Sequence, residues 1–200
     1  MVSVQQHSKS GKRQPGAGLI EVLVAVLIFA TGMMGLVSAQ VAGKRAGYEA
    51  GQRSIATALA RDILERMRAN PGQLAIYSRA NLGDRQARLP APAVDCATAN
   101  CLPAELATYD LWQWESQLVG VAEQHGTRSV GGLVSPRACI SRDAGAVAVT
   151  ISWWGTTSAS SPPSSACGSE IAGLYDDPTK PAGNNLRRRA MTLSTFVAAQ

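Results

Sequence analysis

From Gly16 to Ala39 the chain reads GAGLIEVLVAVLIFATGMMGLVSA, and Val22 to Ala39 is a run of 18 uncharged residues, mostly Val, Leu, Ile, Ala and Met. That is the length of a membrane helix and longer than the apolar core of about 7–15 residues in a secretory signal. One carboxylate, Glu21, stands at its start. A charge inside a bilayer costs about 2.5–3.5 kcal/mol on insertion scales, so something must offset it. A secretory signal cut after Val37-Ser38-Ala39 leaves both the length and Glu21 unexplained. A plain single-span anchor explains the length alone. Lys9, Lys12 and Arg13 before the run are roughly balanced by Lys44, Arg45 and Arg53 after it, so loop charge gives little orientation.

The stretch GAGLIEVLVA resembles the type IV prepilin signal. Four features carry the resemblance: a basic leader over residues 1–16, the terminal Gly16, the spacing to Glu21 and the uninterrupted run behind it. It implies that a prepilin peptidase on the cytoplasmic face cuts between Gly16 and Ala17, making Glu21 the fifth mature residue. Phe is usual at the first mature position and this chain has Ala17, a departure that bears on N-methylation of the new terminus more than on cleavage. The new amine would then sit one helical turn from Glu21, about 6 Å along the axis. In an unassembled subunit the two groups partly neutralise each other. In a helical filament Glu21 can meet a neighbour's amine instead. A carboxylate in low dielectric is penalised unless paired, so it favours the docking register that supplies a cation.

Beyond the run, GQRSIATALARDILERMRANPG places Ile55, Leu59, Ile63 and Met67 on one apolar stripe, with Arg61, Asp62, Glu65, Arg66 and Arg68 largely on other faces. Asn70-Pro71-Gly72 ends the pattern. A continuous helix from about Leu19 to Ala69 is expected. Gly43, Gly47 and Gly51 recur every four residues, continuing a small-residue stripe from Ala39. Such stripes let helices approach closely, and each glycine also weakens the helix by about 1 kcal/mol relative to Ala.

Residues 72–104 read as loop. ELATYDLWQWESQLVGVA puts Leu111, Trp114, Leu118 and Val121 at helical spacing, with Trp112 off the stripe. RACIS and AVAVTISWWG read as strands. In the second, Val147, Val149, Ile151 and Trp153 face one way, and Ala148, Thr150 and Ser152 the other. TTSASSPPSSACGS is a Ser/Pro loop, and RRRAMTLSTFVA closes the chain as a strand. A long helix, a short helix and then antiparallel strands make an α+β plan, with the amphipathic half of the first helix packed on a small sheet.

The four cysteines, Cys96, Cys101, Cys139 and Cys167, all lie beyond the apolar run. An even count in one region fits two disulfides in an oxidising compartment, and spacings of 5, 38 and 28 match no zinc pattern. A Cys96–Cys101 bridge would close a small loop. Cys139 and Cys167 flank the central strand, so a bridge between them would tie the sheet to the loop after that strand, worth roughly 3–4 kcal/mol.

No catalytic constellation is present, so no enzymatic activity, cofactor or metal is expected. His125 reads as a surface loop histidine, Asp176-Asp177 as a solvated turn rather than a calcium pair, and Trp153-Trp154 as one indole in the core and one under a loop. The net charge of +5 falls to about +2 without residues 1–16. The remaining basic run, Arg187-Arg188-Arg189, reads as a solvated strand entrance, so no nucleic-acid partner is expected.

The paired cysteines, ATYDLWQWESQL, and the ending Cys…VTISWW…Cys…RRRAMTLSTFV resemble the PilV family of minor pilins, the type IV pilus modification proteins. The resemblance implies a pilin-like fold divided into a leader (1–16), a transmembrane and filament-core helix (17–40), an amphipathic extension (41–70) and a periplasmic globular domain (71–200). It implies a low-abundance subunit of the inner membrane and then of the pilus, priming assembly at the tip. Its partners would be other minor pilins, the major pilin, prepilin peptidase and, in some systems, a tip adhesin. The competing readings are a minor pseudopilin of type II secretion, which shares the N-terminal logic but has a shorter globular part, and a membrane-anchored periplasmic binding domain that never polymerises.

Overall fold

The computed structural model describes residues 18–121, 123–126, 128–129 and 131–198, so the expected cleavage point at Gly16 and Ala17 lies outside it. The chain divides into two compact units, Met1–Lys44 and Arg45–Gln200. A single helix, α1, runs from Leu19 to Ala69. Its part within the first unit is long and apolar enough to cross a membrane, and every residue from Gly18 to Lys44 is exposed.

In the second unit, α1 ends where its backbone has no continuation. The Asn70 amide still bonds back to Arg66 and Met67, Pro71 offers no N–H, and the Asn70 side chain donates to Pro103 O at 2.7 Å. One 3-10 turn, Pro71–Gln73, and a four-residue helix, α2 (Leu74–Tyr77), follow. The expected loop over 72–104 is therefore helical at its start, because Leu74 and Tyr77 are both buried against the core. Helix α3 spans Pro103–Leu118, with proline in its first turn and the Glu105 carboxylate accepting from the Leu102 amide at 2.8 Å. Val121 falls beyond its end and is only half-buried.

A two-residue pair, β1 (Gln124–His125) and β2 (Arg128–Ser129), precedes the main sheet. That sheet is antiparallel, ordered β3 (Arg137–Asp143), β4 (Ala146–Trp154), β5 (Arg188–Phe196). In its register Val149 stands opposite Ile140 on one side and Leu193 on the other. This is the α+β arrangement of a pilin fold.

The alternation along β4 decides the core. Val147, Val149, Ile151 and Trp153 are all buried, and they join Ala56, Ala60, Ile63 and Met67 of α1 and Leu111, Trp114 and Leu118 of α3. Trp114 is fully buried, and its indole N–H donates to Leu59 O at 2.8 Å, so the ring locks α3 to α1. The buried stripe on α1 holds three of the four expected residues, Leu59, Ile63 and Met67, and is wider than expected. It also takes in Gln52, Ala56, Ala60 and Leu64, while Ile55 is 40% exposed. Small Ala56 and Ala60 let the helix backbone come close, which leaves the bulkier Ile55 on the flank.

The second face of β4 is not simply solvent. Ser152 is fully buried and donates to Cys167 O at 2.8 Å, because the long loop before β5 folds back over the strand. Disulfide Cys139–Cys167 fastens that loop to β3, and Cys96–Cys101 closes the loop that enters α3.

Candidate assembly site

Glu21 lies in the first turn of α1, exposed, with its amide donating to Gly18 O at 2.8 Å. From there to Lys44 the helix shows the surroundings an apolar surface of Val, Leu, Ile, Phe and Met side chains. Isolated exposed hydrophobes are ordinary, but a continuous surface of this size requires a lipid or protein partner. On the same helix a Cβ placed on Gly43, Gly47 or Gly51 would meet no atom within 4 Å, so the stripe is open.

The loops of the second unit are held by charged side chains acting on backbone. Glu115, 2% exposed, accepts the Gly83 amide at 2.8 Å on one oxygen and the Leu89 amide at 2.7 Å on the other, so one carboxylate fixes the strap over α3. Asp110 gathers Arg66 Nη1 at 3.0 Å and the Tyr77 hydroxyl at 2.5 Å. Burial, with the Asp110 carboxylate next, pushes the Tyr77 phenol well above its usual range.

The Arg187-Arg188-Arg189 run is not the solvated entrance the sequence suggests. Arg188 is 2% exposed and donates to Ser165 O at 2.6 Å, Cys167 O at 3.1 Å and Pro163 O at 2.7 Å. It is the peg around which the Ser/Pro loop is wound, and burial lowers its pKa. Arg189 donates to Thr157 O at 2.6 Å and lies 3.7 Å from Glu49 of α1. The Arg187 guanidinium lies 5.9 Å from the centre of the Trp154 ring. Trp153 is buried and Trp154 half-buried.

Asp176 and Asp177 likewise depart from a solvated turn. Asp176 accepts the amides of Gly183 and Asn185. Asp177 is 5% exposed, accepts from the Ser158 and Thr179 hydroxyls and the Thr179 amide, and faces Arg187 at 3.9 Å. The Ser158 bond first, then the Thr179 bonds, bring its pKa down to about 2. Its acceptor sites are filled by protein donors. Among the described residues no group of three or more His, Cys, Asp and Glu is placed to hold a metal. His125 is exposed on β1. A groove of about 940 Å³ beside α1 has Tyr48, Ile55, Arg85 and Leu133 among its walls.

Sequence reasoning missed Glu115, Asp110 and Arg188 because each takes its role from partners distant along the chain. A charged residue on an otherwise apolar face is the one local signal, and Glu115 beside Trp114 carries it.

An α+β protein with a long exposed apolar helix and a small antiparallel sheet is the class these features define. Residues 39–112 match the family model Tt1218-like, described as type IV pilin Tt1218. The match covers the later part of α1, the turns after it, the Cys96–Cys101 loop and the first two-thirds of α3, and over this stretch the chain is similar to a type IV pilin. Searches of the curated proteins and of the solved structures find no match.

Proposed function

We propose that this chain is a minor pilin of the type IV pilus, of the PilV kind. Prepilin peptidase removes residues 1–16, the helix from Ala17 to Gln40 holds the subunit in the inner membrane, and assembly draws it into the filament. There it primes polymerisation with other minor pilins at the tip. The observation that supports this most directly is the exposed apolar length of α1 with Glu21 in its first turn, on a chain whose residues 39–112 match a type IV pilin family. The role is structural, since a bare apolar helix gains by packing against copies of itself and a lone carboxylate sets which packings are tolerated.

Mass spectrometry of the N-terminus of protein purified from native cells tests the processing step. A chain beginning at Ala17 is expected. A start near Gln40 means a secretory signal, an intact Met1 means a plain anchor, and either outcome removes the pilin reading. Glu21→Ala tests the assembly step. The variant is expected to be processed and disulfide-bonded as wild type and to fall by an order of magnitude in sheared filaments, and equal recovery would refute a role for Glu21.

A further inference from the structure

The two edges of the main sheet are treated differently by the chain. At β3 the segment Arg79–Leu82 lies alongside and pairs with it: Ala138 and Leu82 exchange bonds at 2.8 and 2.9 Å, and Ile140 and Arg79 at 2.7 and 3.1 Å. Nothing among the described residues does this for β5. The Gly155–Arg187 and Val197–Gly145 bonds fix the alternation of the β4–β5 ladder, so odd-numbered residues of β5 bond to β4 and even-numbered ones point away. Arg188 is capped by Asn185 O, but the amides and carbonyls of Ala190, Thr192, Ser194 and Phe196 find no backbone partner among the described residues.

Natural sheets blunt such an edge with charge, proline, a bulge or a short strand. From Ala190 onward β5 has none of these. It is nine residues long, its register with β4 is unbroken, and Ala190 to Ala198 holds no charged residue and no proline. Thr192, Ser194 and Phe196 are exposed, and Met191 and Leu193 on the helix-facing side are only half-buried.

The side of α1 bordering this edge carries Arg53, Arg61 and Arg68, the last of them ion-paired with the exposed Glu65. Thr57 Oγ1 lies 3.3 Å from Met191 Sδ, and Arg68 Nη2 lies 2.5 Å from Thr195 Oγ1. Arg53 and Arg61 stand one turn before and one turn after Thr57 on the same side, both exposed. Neither forms an ion pair among the described residues.

We infer that the β5 edge is a seat for strand addition, and that its occupant is an extended segment of a different polypeptide carrying carboxylates on the side that faces α1. Donors and acceptors repeating every second residue, about 6.8 Å apart, are matched by another extended backbone. The cationic pair Arg53 and Arg61, neither of them in an ion pair among the described residues, selects an acidic strand. It also disfavours β5 of a second copy, which brings Arg188 and Arg189 and no acid. This surface is argued from the sheet and the arginine pair alone and does not depend on the pilus reading.

The test uses the full chain in its native cells, with the photo-crosslinking amino acid benzoylphenylalanine in place of Thr192. The expected product is a crosslink to one segment of another protein, with Asp or Glu at alternate positions on mapping by mass spectrometry. Ser194→Pro deletes an outward N–H without touching the β4 ladder, and Arg61→Glu reverses one charge of the pair. Each is expected to lower the crosslink yield about fivefold or more, as loss of a hydrogen bond or a charge contact requires. Both variants should keep wild-type abundance and disulfides. The inference is overturned by an unchanged yield in both variants, by a mapped segment without acidic residues, by a crosslink only to a second copy, or by none at all.

Discussion

Trp112 and Trp114 stand two residues apart on α3 and meet opposite surroundings. Trp112 sits half-buried beside Tyr109, with ring centres 5.8 Å apart, while Trp114 is fully buried with its N–H on Leu59 O. Helical spacing alone separates them, and that much was legible in the sequence. Trp114→Ala is expected to cost about 3–5 kcal/mol in urea unfolding, from the cavity plus the unpaired Leu59 carbonyl, with Trp112→Ala costing far less. Asp177 was not legible, since its donors Ser158 and Arg187 come from two separate stretches of chain. Its depressed pKa means its contribution to stability is complete above the unfolded value near 4 and is lost as pH falls through about 2. Asp177→Asn should therefore flatten the fall of melting temperature between pH 4 and about 2 while lowering stability at neutral pH.

At the scale of elements, α1, α3 and the β4 strand follow from periodicity, and the structure places them where the pattern says. What it changes are the boundaries and faces. The buried stripe of α1 keeps Leu59, Ile63 and Met67, leaves Ile55 on its flank and widens to Ala56 and Ala60, because a sheet accepts a helix most closely along its smallest residues. The Ser/Pro loop before β5 reads from composition as connection only. It is in fact wound on Arg188 and pinned by Cys139–Cys167, two constraints that composition does not reveal. Replacing Cys139 and Cys167 by Ser together is expected to cost roughly 3–4 kcal/mol. Hydrogen exchange should then show the loop amides of Ser169 and Leu174, bonded to Ala166 O and Ile171 O, losing protection before the β4–β5 ladder does. A uniform loss across the sheet would mean that the bridge holds the sheet itself rather than the loop.

For the molecule as a whole, the core residues run from Ala56 to Val197 and none lies in the first unit. A chain beginning at Arg45 thus keeps its complete core and both disulfides. It is expected to be water-soluble and to melt within a few degrees of the full chain in detergent, as differential scanning calorimetry would show. A large drop would mean that the segment before Arg45 contributes to the fold of the second unit.

The sequence alone determined the long apolar helix, the placement of Glu21 at its start, the alternation of β4 and the α+β class, because each is written in residues close together along the chain. Tertiary structure decided how far the buried stripe of α1 spreads to Ala56 and Ala60, the burial of Arg188 and Asp177, the two loop clamps and the open edge of β5. Those depend on which distant backbone groups arrive to be satisfied, and no local period encodes a partner some twenty to thirty residues away.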